Sequence, residues 1–198
     1  MIGENIMGKL WDTPEKLRTL LCELVSWDSI TLTEGERAFA PKLVNKLGEL
    51  RYFQDRPSLL QMHDAGLGRQ VVTALYKHPE ATETVVLISH FDTVQTEEYG
   101  VLQPLAYFPE ELTKRLMENP EELPESARAD LETGKYLFGR GTMDMKMGLA
   151  LHMQLIEKAS VEEWPINLIL TTVPDEEVNS AGMRAAVTHL VRIREEFN

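Results

Sequence analysis

The sequence predicts a three-layer α/β/α domain built on a largely parallel mixed sheet. Three observations lead there. Apolar, β-branched runs of strand length occur at 69–77 (RQVVTALYK), 84–89 (TVVLIS) and 166–173 (INLILTTV). Stretches with helical apolar spacing alternate with them, which is the pattern of layered α/β domains. The chain has 198 residues, 43% of them hydrophobic, enough for a real core without disulfide or metal staples.

Taken in order, Thr13-Pro14-Glu15 opens a helix over 14–27, because threonine caps free N–H groups and proline fits a first turn. Leu17, Leu20, Leu21 and Leu24 form its apolar stripe, and Cys22 on the same helix reads as an inert buried thiol. A second helical stretch begins near Thr33 and carries Phe39, Leu43, Val44, Leu47 and Leu50, with Pro41 predicting a late start or a kink. The run 84–89 alternates little, as expected of a strand covered on both faces. A short strand is expected before Phe138. The helix predicted at 145–159 is apolar on most sides, so it should lie buried against the sheet, with Met143, Met145, Met147 and Met153 as flexible core filler. A more amphipathic helix is expected at 181–197.

Composition excludes several classes. The formal net charge is −12, which argues against sequence-independent binding to nucleic acid, since that needs lysine and arginine to displace counterions. Residues 97–132 hold ten acidic and three basic side chains, a strongly acidic stretch that reads as a solvated excursion or as a docking surface for a basic partner. No apolar run approaches the ~18 residues of a membrane span. The N-terminal MIGENIMGKLWDTPEK lacks the apolar core of a secretory signal. A single cysteine cannot form an internal disulfide, and the expected address is the cytoplasm.

Ligands of open α/β sheets gather at the carboxyl ends of strands, and three acidic segments are expected there. The first is Ser89-His90-Phe91-Asp92, directly after VVLI. Imidazole can bind a metal through one nitrogen while a carboxylate holds the other and fixes the tautomer. The second is Gly139-Arg140-Gly141-Thr142-Met143-Asp144-Met145-Lys146, where glycines permit tight turns and Asp144 offers a hard oxygen donor or a helix cap. The third is Pro174-Asp175-Glu176-Glu177, whose consecutive carboxylates repel one another unless cations or donors meet them. Ser89 and Ser180 stand in no triad context. His63, His78, His152 and His189 stand in no motif and read as surface or packing residues.

The order H-x-D, then G-R-G-x-x-D-x-K, then D-E-E resembles the M20 family of metallopeptidases and amidohydrolases, over about Val85 to Ala186. Within it, the sequence looks most similar to a branch named for arginine utilisation. The resemblance implies a zinc-peptidase-like fold and two divalent metal ions, usually zinc, with cobalt or manganese as the alternatives. By the same resemblance His90 ligates one metal, Asp92 orients His90, Asp144 bridges both metals with a peptide bond to Met145 that is often cis, Glu177 ligates the second metal, and Glu176 is the general base. The implied reaction is hydrolysis of an amide bond in a small peptide or N-acyl amino acid, with no nucleic acid or membrane partner and with a homodimer in the full-length relative. Two departures stand out. Asp92 and Asp144 lie 52 positions apart, so 97–132 reads as an insertion near the site entrance. Relatives also carry a further carboxylate ligand, a histidine and a dimerising lid, which the 198 residues do not contain, so the chain is expected to be the N-terminal part of a catalytic domain. The alternative is a non-catalytic domain that keeps the fold and binds metal or a partner through its acidic insertion.

Overall fold

A computed structural model describes residues 9–197; residues 1–8, which belong to the N-terminal segment read above as lacking a signal core, lie outside the described residues. Helices α1 (Pro14–Ser26) and α2 (Glu34–Leu47) begin as their caps dictate, with Thr13 Oγ1 accepting from the Lys16 amide and Thr33 Oγ1 from the Glu36 amide. Pro41 lies inside α2, which neither starts late nor stops there. After a short α3 (Arg51–Asp55), strands β1 (Leu60–Asp64) and β2 (Gln70–Tyr76) form an antiparallel hairpin, and β3 (Thr84–His90) follows. The acidic excursion contains α4 (Pro109–Glu118) and α5 (Glu125–Glu132); then come α6 (Met147–Glu162), β4 (Asn167–Val173) and α7 (Ala181–Phe197).

The sheet has the order β1-β2-β4-β3. Alternate residues divide it between two helical layers. Val72, Ala74, Tyr76, Leu168 and Leu170 pack with Leu20 and Leu24 of α1, Phe39 and Leu43 of α2 and Met153 of α6. On the opposite face Val71 and Val173 meet Ala186, while Leu75 and Ile169 meet Ile193, both on α7. This is the expected α/β/α sandwich. Its parallel part is limited to β3–β4, because β1 and β2 are joined by a tight hairpin rather than a helical crossover and β2 also runs antiparallel to β4.

Two expectations are corrected by topology. The run 84–89 is not covered on both faces: β3 is the sheet edge, α7 lies over β1, β2 and β4, and Val85, Val86 and Ile88 are 40–48% exposed. The short strand before Phe138 does not form. The Phe138 amide instead donates to Thr113 Oγ1 at 2.8 Å and the Arg140 amide to the Ala106 carbonyl at 2.7 Å, so the backbone is committed to the acidic excursion. Of the four methionines read as core filler, Met153 is fully buried whereas Met143 is 85% exposed. Cys22 is half-buried, and burial together with nearby Glu110 raises its thiol pKa, which suits an inert thiol.

Candidate metal centre

Two of the three acidic segments leave neighbouring parallel strands at the same edge of the sheet. His90 pairs in register with Val173, and the Phe91 amide donates to the Val173 carbonyl at 3.1 Å. The second segment, 139–146, arrives from a loop rather than a strand. Gly141 adopts φ +76°, and a Cβ there would lie 2.9 Å from Thr93 Cγ2, so glycine is required for both conformation and space. The Lys146 amide closes this loop on the Gly141 carbonyl at 2.9 Å. Asp144 and Met145 have non-helical backbone angles, so α6 begins at Met147 rather than at 145; the peptide bond between them is cis.

These three segments bring His90, Asp144 and Glu177 together: one ligand atom from each lies within 4.8 Å of the others. His90 Nε2 stands 2.9 Å from Asp144 Oδ1 and 3.8 Å from a Glu176 carboxylate oxygen. Burial alone would lower the His90 pKa, but hydrogen bonds to Asp92 and Asp144 and the charges of Asp92 and Glu176 outweigh it and hold it up at about 9. Glu177 is shifted upward by burial and by the carboxylates of Asp144, Asp92 and Glu176, with His90 opposing. An imidazole and crowded carboxylates converging on one point form a donor set suited to a divalent cation.

Asp92 sits directly beneath this cluster, fully buried. His90 Nδ1 lies 3.1 Å from the Asp92 backbone carbonyl and 3.5 Å from its carboxylate. The carboxylate is engaged mainly elsewhere. Its two oxygens accept the amides of Glu176 at 3.0 Å and Glu177 at 3.2 Å, and the Thr31 hydroxyl at 2.8 Å. Asp92 thus ties the first acidic segment to the third. Burial opposes its ionisation, but His90, the two amides and Thr31 together hold its pKa below the ordinary value.

Sequence reasoning missed several supporting residues. Lys146, fully buried, donates from Nζ to the Trp27 carbonyl at 2.8 Å and lies 4.9 Å from the Phe39 ring centroid, with burial pushing its pKa down to about 7. Its place in the G-R-G-x-x-D-x-K motif was the available signal. Glu36 and Arg69 are also buried, and nothing in their local sequence sets them apart. The remaining histidines stay outside the cluster: His63 and His189 stack on each other with centroids 3.7 Å apart.

Residues 86–197 match the sequence profile of peptidase family M20/M25/M40. The chain belongs to this family. Protein YqjN of Bacillus subtilis (strain 168) is 44% identical over 188 residues, which cover 95% of this M20 chain and 34% of YqjN. Protein RocB of the same organism is 29% identical over 188 residues, covering 92% of the chain and 33% of RocB. The chain therefore spans about a third of the length of the curated relatives it matches. Among solved structures, the M20 family metallo-carboxypeptidase Sso-CP2 from Sulfolobus solfataricus superposes with a TM-score of 0.59 at 18% identity, over 82% of this chain and 31% of its own. Human carnosine dipeptidase 1 gives 0.58 at 17%, over 87% and 34% respectively. These likenesses support the α/β/α fold. Among the described residues no helix is long and apolar enough to cross a membrane.

Proposed function

We propose that this chain is the N-terminal part of a metal-dependent hydrolase that cleaves amide bonds in small peptides or N-acyl amino acids. The observation that carries the reading is the convergence of His90, Asp144 and Glu177 within 4.8 Å, beside Glu176 and above Asp92. The donor set fits divalent zinc, with cobalt or manganese as alternatives. His90, Asp144 and Glu177 would hold the metal, and Asp144 is the residue proposed to bridge a pair. When bound, such ions polarise a scissile carbonyl and lower the pKa of water.

The rest follows from the chain's own groups. Asp92 fixes the backbone of Glu176 and Glu177 through one carboxylate oxygen each. Both carboxylates leave this turn on the side of His90: Glu177 serves the cluster, while the half-exposed Glu176 carboxylate, 3.8 Å from His90 Nε2, faces water and substrate. Glu176 takes a proton from the attacking water and delivers it to the departing amine, a general-base contribution of about 10²–10⁴. No covalent intermediate is required.

The edge position of β3 supports the partial-domain reading. Val85, Val86 and Ile88 are exposed on a strand with one free edge, a surface that proteins normally cover. The acidic excursion, proposed as an insertion at 97–132, adjoins the site through Tyr107, whose hydroxyl lies 3.1 Å from Thr93 Oγ1.

The test uses the longer polypeptide and measures bound metal and amide turnover together. Glu176→Gln should keep metal and lose about 10²–10⁴ in turnover, whereas Glu177→Gln should lose metal first. Near-full turnover of Glu176→Gln at full metal occupancy would overturn the assignment of the base.

A further inference from the structure

We infer that Glu36 on α2 and Arg69 at the start of β2 are positioning residues that set the backbone of the acidic exit carrying Glu176 and Glu177. The inference rests on the metal-centre reading above. Neither residue lies in a motif, and neither belongs to the candidate ligand set.

Glu36 is 1% exposed. Its two oxygens are spent on two backbone amides, one accepting from Leu32 and the other from Asp175, each at 2.8 Å. The second bond spans 139 positions of sequence and lands on the residue just before Glu176. Arg69 is 4% exposed, and its guanidinium forms an ion pair with the fully buried Asp175 carboxylate at 3.1 Å. Its Nε also donates to the Gly66 carbonyl at 3.2 Å, so the pairing group is itself fixed by the hairpin loop. Asp175 further accepts the Ala181 amide, tying the exit to the start of α7.

These bonds meet on one strained residue. Asp175 has φ +60°, a region that a non-glycine residue occupies only when its surroundings over-determine it. Glu36 from one helical layer, Arg69 from the hairpin and Ala181 from the other layer supply that determination. The turn at Asp175 presents the Glu176 and Glu177 amides to Asp92 at 3.0 and 3.2 Å and leaves their carboxylates on the side of His90. A buried carboxylate and a buried guanidinium are costly to place. Apolar side chains at these two positions would fill the space without that cost. Aiming Glu177 gives the charged groups a purpose that filling does not.

The diagnostic variant is Glu36→Gln, which keeps the shape but turns one oxygen into an amide group that cannot accept from Leu32 or Asp175. Amide hydrogen exchange and cobalt(II) titration, followed by the metal's visible absorption, are measured on the same chain. Expected is exchange at least ~10-fold faster at Asp175, Glu176 and Glu177, with core amides of β2 and α6 unchanged. Cobalt affinity should fall about 10–100-fold. Arg69→Lys keeps the charge but not the planar fork and should shift both readouts the same way by less; it also decides the matter should Glu36→Gln not fold. Glu34→Gln, an exposed change in the same first turn, should move neither. Wild-type exchange at 175–177 and wild-type cobalt affinity in the variants would overturn the inference, as would acceleration spread evenly through the core. If the unsubstituted chain takes up no cobalt, the metal-centre reading falls, and the exchange data alone decide the positioning role.

Discussion

Replacing Asp92 by asparagine isolates the tie between the first and third acidic segments. The side chain is fully buried, and its oxygens accept the Glu176 amide, the Glu177 amide and the Thr31 hydroxyl at 2.8–3.2 Å. Asparagine keeps one acceptor, but its amide group must face at least one N–H donor. A hydrogen bond to a charged group contributes about 1.5–3 kcal/mol, and a stranded buried donor costs about 1–3 kcal/mol. With partial relaxation, the net loss should be about 3 kcal/mol. For a chain of this length each kcal/mol moves the melting temperature by about 2–4 °C, so Asp92→Asn should melt roughly 6–12 °C lower at pH 7, followed by circular dichroism without added metal. The pH dependence has a definite sign. The folded pKa of Asp92 lies below its ordinary 3.8, so its contribution is present above the unfolded value and fades as pH falls through the folded one. The gap between wild type and variant should therefore narrow in acid. A melting difference within ~1 °C at pH 7 would refute the argument that this carboxylate binds the two segments together.

Three other outcomes follow. Burial, with His189 and Arg192 adding to it, pushes His63 down to about 4; the unfolded chain then binds the extra proton first, so stability should decline as pH falls from about 6.5 towards 4, and His63→Phe should flatten that decline in a melting series. Gly182→Ala would put a Cβ 2.3 Å from the Pro174 carbonyl oxygen, which should cost about 1–3 kcal/mol of stability and weaken cobalt binding, because the same backbone leads into Asp175; unchanged melting and affinity would contradict the close approach. Ile88→Lys on the exposed edge strand should reduce concentration-dependent self-association of the 198-residue chain in sedimentation velocity; self-association that persists unchanged would show that the β3 edge is not responsible.

How much was legible in the sequence depended on the range of the interaction. His90, Asp144 and Glu177 stand in short motifs next to apolar runs; the approach of His90 and Glu177 follows once β3 and β4 run parallel, while Asp144 is brought in by the loop before α6. The short β1, LQMHD, escaped notice because only two of its five residues are apolar and most of it is exposed, so no buried face marks it as a strand. The exposure of β3 was hidden because its apolar content is that of an interior strand, while its neighbours are decided by topology. Glu36 was hidden differently. Its place in the first turn of α2 is where a carboxylate ordinarily favours a helix terminus, yet it reaches the Leu32 and Asp175 amides. Asp92 was recognised through its spacing from His90, but its bonds to the Glu176 and Glu177 amides depend on contacts more than eighty residues away.

The central claim, that His90, Asp144 and Glu177 hold a divalent metal, is tested most directly by anomalous diffraction at the zinc edge from crystals of the chain grown with zinc. A peak bounded by His90 Nε2 and the carboxylates of Asp144 and Glu177 is expected, and it should be absent in crystals of His90→Ala. A fully zinc-exposed crystal with no peak there, or with zinc bound only elsewhere, would contradict it.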